Sequence, residues 1–71
     1  MKFEALHNKS TSRVTAPFHA EAAAKFASKF LKGHKGVASV TKTGGTSDNA
    51  IHDFEAVAKD GTKAIFTVYK V

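Results

Sequence analysis

Residues 51–71 read IHDFEAVAKDGTKAIFTVYKV, two alternating apolar and polar runs on either side of Asp60-Gly61. An Asp-Gly dipeptide between such runs is typical of a β-hairpin. A two-residue loop would place carboxylates and core aromatic residues on the same face of this hairpin. A three-residue loop, Lys59-Asp60-Gly61, instead pairs Phe54 with Phe66. We therefore predict the second register, which gathers six apolar residues on one face: Phe54, Ala56, Ala58, Ala64, Phe66 and Val68.

The stretch from His19 to Lys32 has a helical period. Its apolar residues recur at three- and four-residue spacing, at Ala22, Ala23, Phe26, Ala27, Phe30 and Leu31. Glu21 in the first turn complements the helix dipole, and Gly33 can adopt the left-handed conformation that ends a helix. No Ser, Thr, Asp or Asn stands directly at the start, so His19 or Thr15 is the candidate for the cap.

The rest of the chain predicts further strands. Residues 2–7 alternate in part, residues 8–12 form a polar turn, and alternation returns from Arg13 until Pro17, which cannot donate a ladder hydrogen bond. Residues 37–43 are rich in β-branched side chains and read as a strand, closed by a flexible loop at residues 44–49. The elements predict a two-layer α+β domain in the order ββαβββ, with one amphipathic helix on an antiparallel sheet of four to five strands.

The composition limits the classes of function. Seventy-one residues form one small domain, residues 1–71, with 11 Lys+Arg, 6 Asp+Glu and a net charge of +5. The chain contains no cysteine, which excludes a disulfide framework, a thiolate zinc site and a cysteine nucleophile. The first fifteen residues lack the apolar run of a signal peptide, and no stretch approaches the ~20 apolar residues of a membrane span. We expect a cytoplasmic protein that does not bind membranes.

The concentrated positive charge belongs to the polar side of the helix and the turn after it. Lys25, Lys29 and Lys32 have the spacing i, i+4 and i+7, and His34 and Lys35 continue the charge. These five residues are the candidate polyanion-binding set, because a phosphate backbone is attracted to such clustered lysines. The alternative is a solvated face that keeps a small domain soluble. A single arginine in the chain makes the nucleic-acid signature weak, so nucleic-acid binding is the alternative function.

Gly33-His34-Lys35-Gly36 resembles the Gly-x-x-Gly loop with which K-homology domains clamp a nucleic-acid backbone. In that family the loop joins two helices, whereas here it precedes the strand at residues 37–43. A helix-to-strand connection with Gly33 as the stop residue is the alternative explanation. The helix followed by two strands also loosely resembles the layout of dodecins, which stack flavin on tryptophan. The chain contains no tryptophan, so no flavin site is carried over and we expect no cofactor.

Catalytic and metal-binding patterns are absent from the sequence. No pair among His7, His19, His34 and His52 has the i, i+3 or i, i+4 spacing of metal ligands. His52 and Asp53 are neighbours in a strand, so their side chains point to opposite faces. No Gly-x-Ser-x-Gly elbow occurs. We expect neither a metal site nor an enzyme.

The outward face of the last hairpin is the candidate protein-interaction face. Apolar side chains beside carboxylates are predicted there, at Asp53, Glu55, Val57, Ile65 and Tyr69. The alternative is the ordinary scatter of apolar residues on a small protein. The sequence thus favours a small non-enzymatic binding module that acts through this face or a sheet edge, on a protein partner or as a homo-oligomer.

Overall fold

Five antiparallel strands form a single sheet that carries one helix. The computed structural model describes residues 1–46 and 50–71. Its elements are β1 (Lys2–His7), β2 (Ser10–Thr15), α1 (His19–Phe30), β3 (Val37–Gly45), β4 (Ile51–Ala58) and β5 (Lys63–Lys70). The strand order β2-β1-β5-β4-β3 places β5 in the middle of the sheet. The predicted two-layer α+β architecture is confirmed, with five strands.

The hairpin of β4 and β5 has the predicted register. Phe54 lies opposite Phe66, and Ala56 lies opposite Ala64. The Ala58 N–H donates to the Thr62 carbonyl at 2.7 Å, which closes a three-residue loop. Gly61 has φ +92°, a left-handed conformation that glycine adopts without steric cost.

The core lies between this hairpin and the helix. All six residues predicted for the inner face of β4 and β5 are buried, as are Phe26 and Leu31. The Phe66 ring stands edge-on to the Phe30 ring, with centroids 5.3 Å apart, and to the Phe26 ring at 6.4 Å. Such edge-to-face pairs are a favourable arrangement of aromatic rings, so these phenylalanines join the two layers.

The first hairpin turns more tightly than the sequence predicts. Asn8 and Lys9 alone connect the strands, with φ 48° and 66°, and His7 lies opposite Ser10. The predicted polar turn at residues 8–12 is therefore too long. The polar residues 10–12 belong to β2, because β2 is an edge strand and its polar side chains can face solvent.

The helix begins at His19, as predicted, but its N-cap is not one of the residues predicted for that position. Phe18 is the N-cap, and its side chain makes no cap hydrogen bond, so the assignment of the cap to His19 or Thr15 was wrong. The helix ends at Phe30, before Lys32. Gly33 has φ +90°, and no atom would contact a Cβ there, so the left-handed backbone alone explains a glycine at this position.

Strand β3 is longer than predicted. A bulge between Lys42 and Gly44 allows Gly44 to pair with Asp53 and Gly45 to pair with His52. Two residues of the predicted loop 44–49 therefore belong to the strand, while residues 47–49 lie outside the described residues. Within the ranges 1–46 and 50–71, no helix combines the length and the apolar character that a membrane crossing requires.

Candidate functional site

The uncovered face of the sheet is the first candidate site. Helix α1 packs on one face, and no element of the described chain covers the other. The candidate protein-interaction residues all project there, because they alternate along β4 and β5 with the buried Phe54 and Phe66. We name this set the hairpin patch; it consists of Asp53, Glu55, Val57, Ile65 and Tyr69.

The hairpin patch combines exposed apolar surface with carboxylates. Ile65 is 68% exposed and lies directly opposite Glu55. Leu6, on the neighbouring strand β1, is 48% exposed and extends the apolar surface on the same face. Neighbouring exposed apolar side chains on one sheet face form the kind of surface that a partner can cover.

Two carboxylates on this face are held by their neighbours. The Thr67 hydroxyl donates to Asp53 at 2.8 Å, and Glu4 accepts hydrogen bonds from the Tyr69 hydroxyl and from Arg13 Nε. The bond from Tyr69 and, next, the one from Arg13 lower the pKa of Glu4 below its ordinary value. The same contact with Glu4 raises the pKa of Tyr69. Hydrogen bonds thus hold both carboxylates in position.

The carboxylate of Glu55 differs from the other two. No hydrogen bond or ion pair engages it in the part of the chain that the structure describes. It is partly buried beside the exposed Ile65. An acceptor next to an apolar side chain is suited to a partner that offers a cation beside an apolar contact.

The candidate polyanion-binding set is divided by the fold. The Lys25 ammonium donates to the Thr15 carbonyl at 2.7 Å and so joins the helix to β2. Lys29 remains exposed on the helix. Because α1 ends at Phe30, Lys32 and Lys35 belong to the following turn and not to the same helical face. The continuous stripe of lysines indicated by the sequence is therefore shorter than its spacing suggests.

The Gly33-Gly36 turn is attached to the loop of the last hairpin. The Lys59 N–H donates to the Gly36 carbonyl at 2.9 Å, and His34 Nδ1 lies 2.9 Å from the Asp60 carboxylate. The backbone N–H of Thr62, followed by the contact with His34, lowers the pKa of Asp60 to about 2. These contacts give the turn a structural function and engage His34, one of the predicted polyanion-binding residues.

A pair of histidines was not evident in the sequence. The rings of His19 and His52 stack with centroids 3.9 Å apart, 19° from parallel. His52 lies on the helix side of β4, whereas Asp53 lies on the open face, as the strand alternation predicts. The two histidines come from distant segments, so no local spacing could indicate the pair. No group of three or more His, Asp or Glu residues suited to a metal ion occurs in residues 1–46 and 50–71.

Comparison of the chain with models of protein families, with curated proteins and with solved structures finds no match.

Proposed function

We propose that this chain is a non-enzymatic binding module that docks a protein partner through the open face of its sheet. The observation that supports the proposal is the hairpin patch, where the exposed Ile65 on the central strand lies opposite the unengaged carboxylate of Glu55. We place the module in the cytoplasm, an expectation that comes from the sequence.

The charge of the patch favours one kind of partner. The charged residues of the hairpin patch itself are the two carboxylates Asp53 and Glu55, while Lys63 lies on the same face at the start of β5, opposite Val57. A second copy of the chain that paired this patch with itself would bring like charges together, which is unfavourable. A partner that presents an apolar side chain flanked by Lys or Arg would complement both features. We therefore propose a basic and apolar protein surface as the occupant.

The size of the face favours transient binding. Five strands spaced about 4.8 Å apart and about 20 Å long give an area of roughly 500 Å². Stable complexes bury about 800 Å² on each partner, so docking on this face alone corresponds to the lower end of specific interfaces. Contacts from the rim of the sheet would be needed for a long-lived complex.

The experiment compares variants of the two sides of the domain. The chain is immobilised and incubated with cell lysate, with and without nuclease treatment, as wild type and as Ile65→Asp, Glu55→Lys and Lys29→Glu. Ile65→Asp removes the apolar contact, and Glu55→Lys reverses the charge that attracts the partner. Lys29→Glu is the matched control, because it changes an exposed residue on the helix side. We expect the same polypeptides to be lost with both patch variants and retained with Lys29→Glu.

Other outcomes contradict the proposal. Capture that survives both patch variants shows that the open face is not the interface. Capture that disappears on nuclease treatment, or with Lys29→Glu alone, supports nucleic-acid binding by the lysines instead. Light scattering of the purified chain tests the homo-oligomer: a dimer disrupted by Ile65→Asp would show that the occupant is a second copy.

A further inference from the structure

A cavity of about 380 Å³ opens where helix α1 begins, on the helix side of the sheet and away from the hairpin patch. Its walls come from the first turn of α1, from the inner face of β3 and β4, and from Met1. Ligand-binding pockets in proteins have volumes of about 300 to 1,000 Å³. The cavity is therefore large enough for a molecule of one or two rings.

The walls of the cavity are mainly apolar and include two phenylalanines. Phe54 forms part of the floor, and Phe18 stands at the rim with 65% of its surface exposed. Phe18 also occupies the N-cap position, where it makes no side-chain hydrogen bond. A serine or aspartate there would satisfy a backbone N–H that phenylalanine leaves without a side-chain acceptor. An exposed ring at a position that favours a polar residue is explained if it contacts a ligand.

The polar groups of the cavity favour an anion. Lys42 lies opposite Phe54 on the inner face of the sheet and is the one lysine among the described lining residues, which also include Met1 with its N-terminal ammonium. The stacked rings of His19 and His52 form the adjacent wall, and His19 Nε2 donates to the Ala50 carbonyl at 3.3 Å. None of the described lining residues carries a carboxylate. Within the described lining residues the charge is thus positive, and Lys42 supplies the one cationic side chain of a lysine or arginine.

We propose that this cavity binds a small aromatic molecule with one carboxylate group. The aromatic ring of the ligand packs between Phe18 and Phe54, and its carboxylate accepts a charge-assisted hydrogen bond from the Lys42 ammonium. The imidazole of His52 provides a flat edge against which the ligand ring is positioned. The site lies on the face opposite to the hairpin patch, so it does not depend on the proposed protein interface.

The experiment is an amide chemical-shift titration of the whole chain with 2-naphthoate. Any affinity tag is placed after Val71, because Met1 lines the cavity. We expect shifts at Phe18, His19 and His52 that saturate at millimolar concentration. Lys42→Gln removes the cation and keeps a polar side chain only one atom shorter, and we expect it to weaken binding by about fivefold, as an exposed ion pair contributes. The neutral analogue 2-naphthylmethanol should bind the wild type more weakly by a similar factor.

Two further variants make the test specific to the cavity. Lys63→Gln removes a lysine of β5 that lies outside the cavity, and affinity for 2-naphthoate should not change. Ala20→Leu places a larger side chain in the cavity with little loss of helix propensity, and binding should be lost. Equal effects of Lys42→Gln and Lys63→Gln, or equal binding of the acid and the alcohol, would overturn the proposal. The absence of chemical-shift changes at the lining residues would also overturn it. The titrations of the wild type and of the two lysine variants test the proposal even if Ala20→Leu does not fold.

Discussion

The rings of Phe54 and Phe66 lie directly opposite each other on β4 and β5, with centroids 6.0 Å apart and planes 20° from parallel. Their neighbours in sequence, Glu55 and Ile65, are likewise opposite each other but face solvent. A shift of one residue in the register would instead place Glu55 opposite Phe66 and so mix the two faces. The separation of the core from the hairpin patch therefore depends on the three-residue loop that fixes this pairing.

Adjacent residues of β5 should respond very differently to truncation. Phe66 is 1% exposed, and Phe66→Ala should lower the free energy of unfolding by about 3 to 5 kcal/mol. A domain of 71 residues has a total stability of roughly 4 to 11 kcal/mol, so this loss is a large fraction of the total and should strongly lower the urea concentration at the midpoint of unfolding. Ile65→Ala should change the free energy of unfolding by less than about 0.5 kcal/mol. Urea denaturation of both variants measures the difference; equal losses would contradict the observed register.

The loop of the same hairpin gives a second prediction, at Gly61. Its φ is +92°, and no atom lies within 4 Å of the position of an added Cβ, so a substitution there encounters backbone strain but no clash. Gly61→Ala should cost about 1 to 2 kcal/mol. Gly61→Asn should cost less, because asparagine tolerates left-handed conformations better than alanine does. Thermal unfolding compares the two, and an alanine variant as stable as asparagine would show that the loop adopts another turn.

The elements that could be predicted from the sequence are those governed by local pattern. Asp60-Gly61 and the alternation around it predict the hairpin and its register, and the spacing of Phe26 and Phe30 predicts the buried face of the helix. The extension of β3 through Gly45 could not be predicted, because a bulge requires a partner strand and glycines read as loop residues. The same holds for the strand order, since the position of β5 between β1 and β4 depends on a pairing of the two ends of the chain.

In the candidate sites, too, the sequence predicts what depends on local pattern and does not predict what depends on tertiary contacts. Strand alternation places the hairpin patch on the open face, because every second residue of a strand has the same orientation. The contacts that modify the lysine set are tertiary: the Lys25 ammonium meets a carbonyl of β2, and His34 meets Asp60 of a distant loop. The His19 and His52 stack is also tertiary, and it forms part of the proposed cavity.

Asp60 should make stability sensitive to acid. Its pKa is lowered from 3.8 to about 2 in the folded chain, so its anion stabilises the fold above the unfolded pKa, and this contribution is lost as the pH falls from about 4 to 2. Asp60→Asn keeps an acceptor for the Thr62 N–H but removes the charge. Urea denaturation should show a smaller loss of stability for Asp60→Asn than for the wild type between pH 5 and pH 2. Parallel pH profiles would contradict the role of the anion.

The row formed by Arg13, Glu4 and Tyr69 can be tested by titration. The Tyr69 hydroxyl is the largest cause of the lowered pKa of Glu4, and Arg13 is the next. Tyr69→Phe should raise the pKa of Glu4 toward its ordinary value, and Arg13→Gln should raise it by a smaller amount. Carbon-detected NMR of the Glu4 carboxyl follows the change. A larger effect from Arg13→Gln would show that the charge of the guanidinium, and not the hydroxyl, holds the carboxylate.

Phe18 gives the last prediction, because its helix-capping position and the cavity place opposite demands on the side chain. Phe18→Ser supplies a cap acceptor at a residue with the extended backbone that a cap requires, φ −140° and ψ 159°. It should be more stable than Phe18→Ala by about 1 kcal/mol in urea denaturation. Both variants remove the ring at the rim, so both should bind 2-naphthoate more weakly than the wild type. If Phe18→Ser is more stable than the wild type and binds 2-naphthoate with the same affinity, the exposed ring contributes neither to the helix nor to the cavity. Lys42 and Phe54 would then remain as the binding residues.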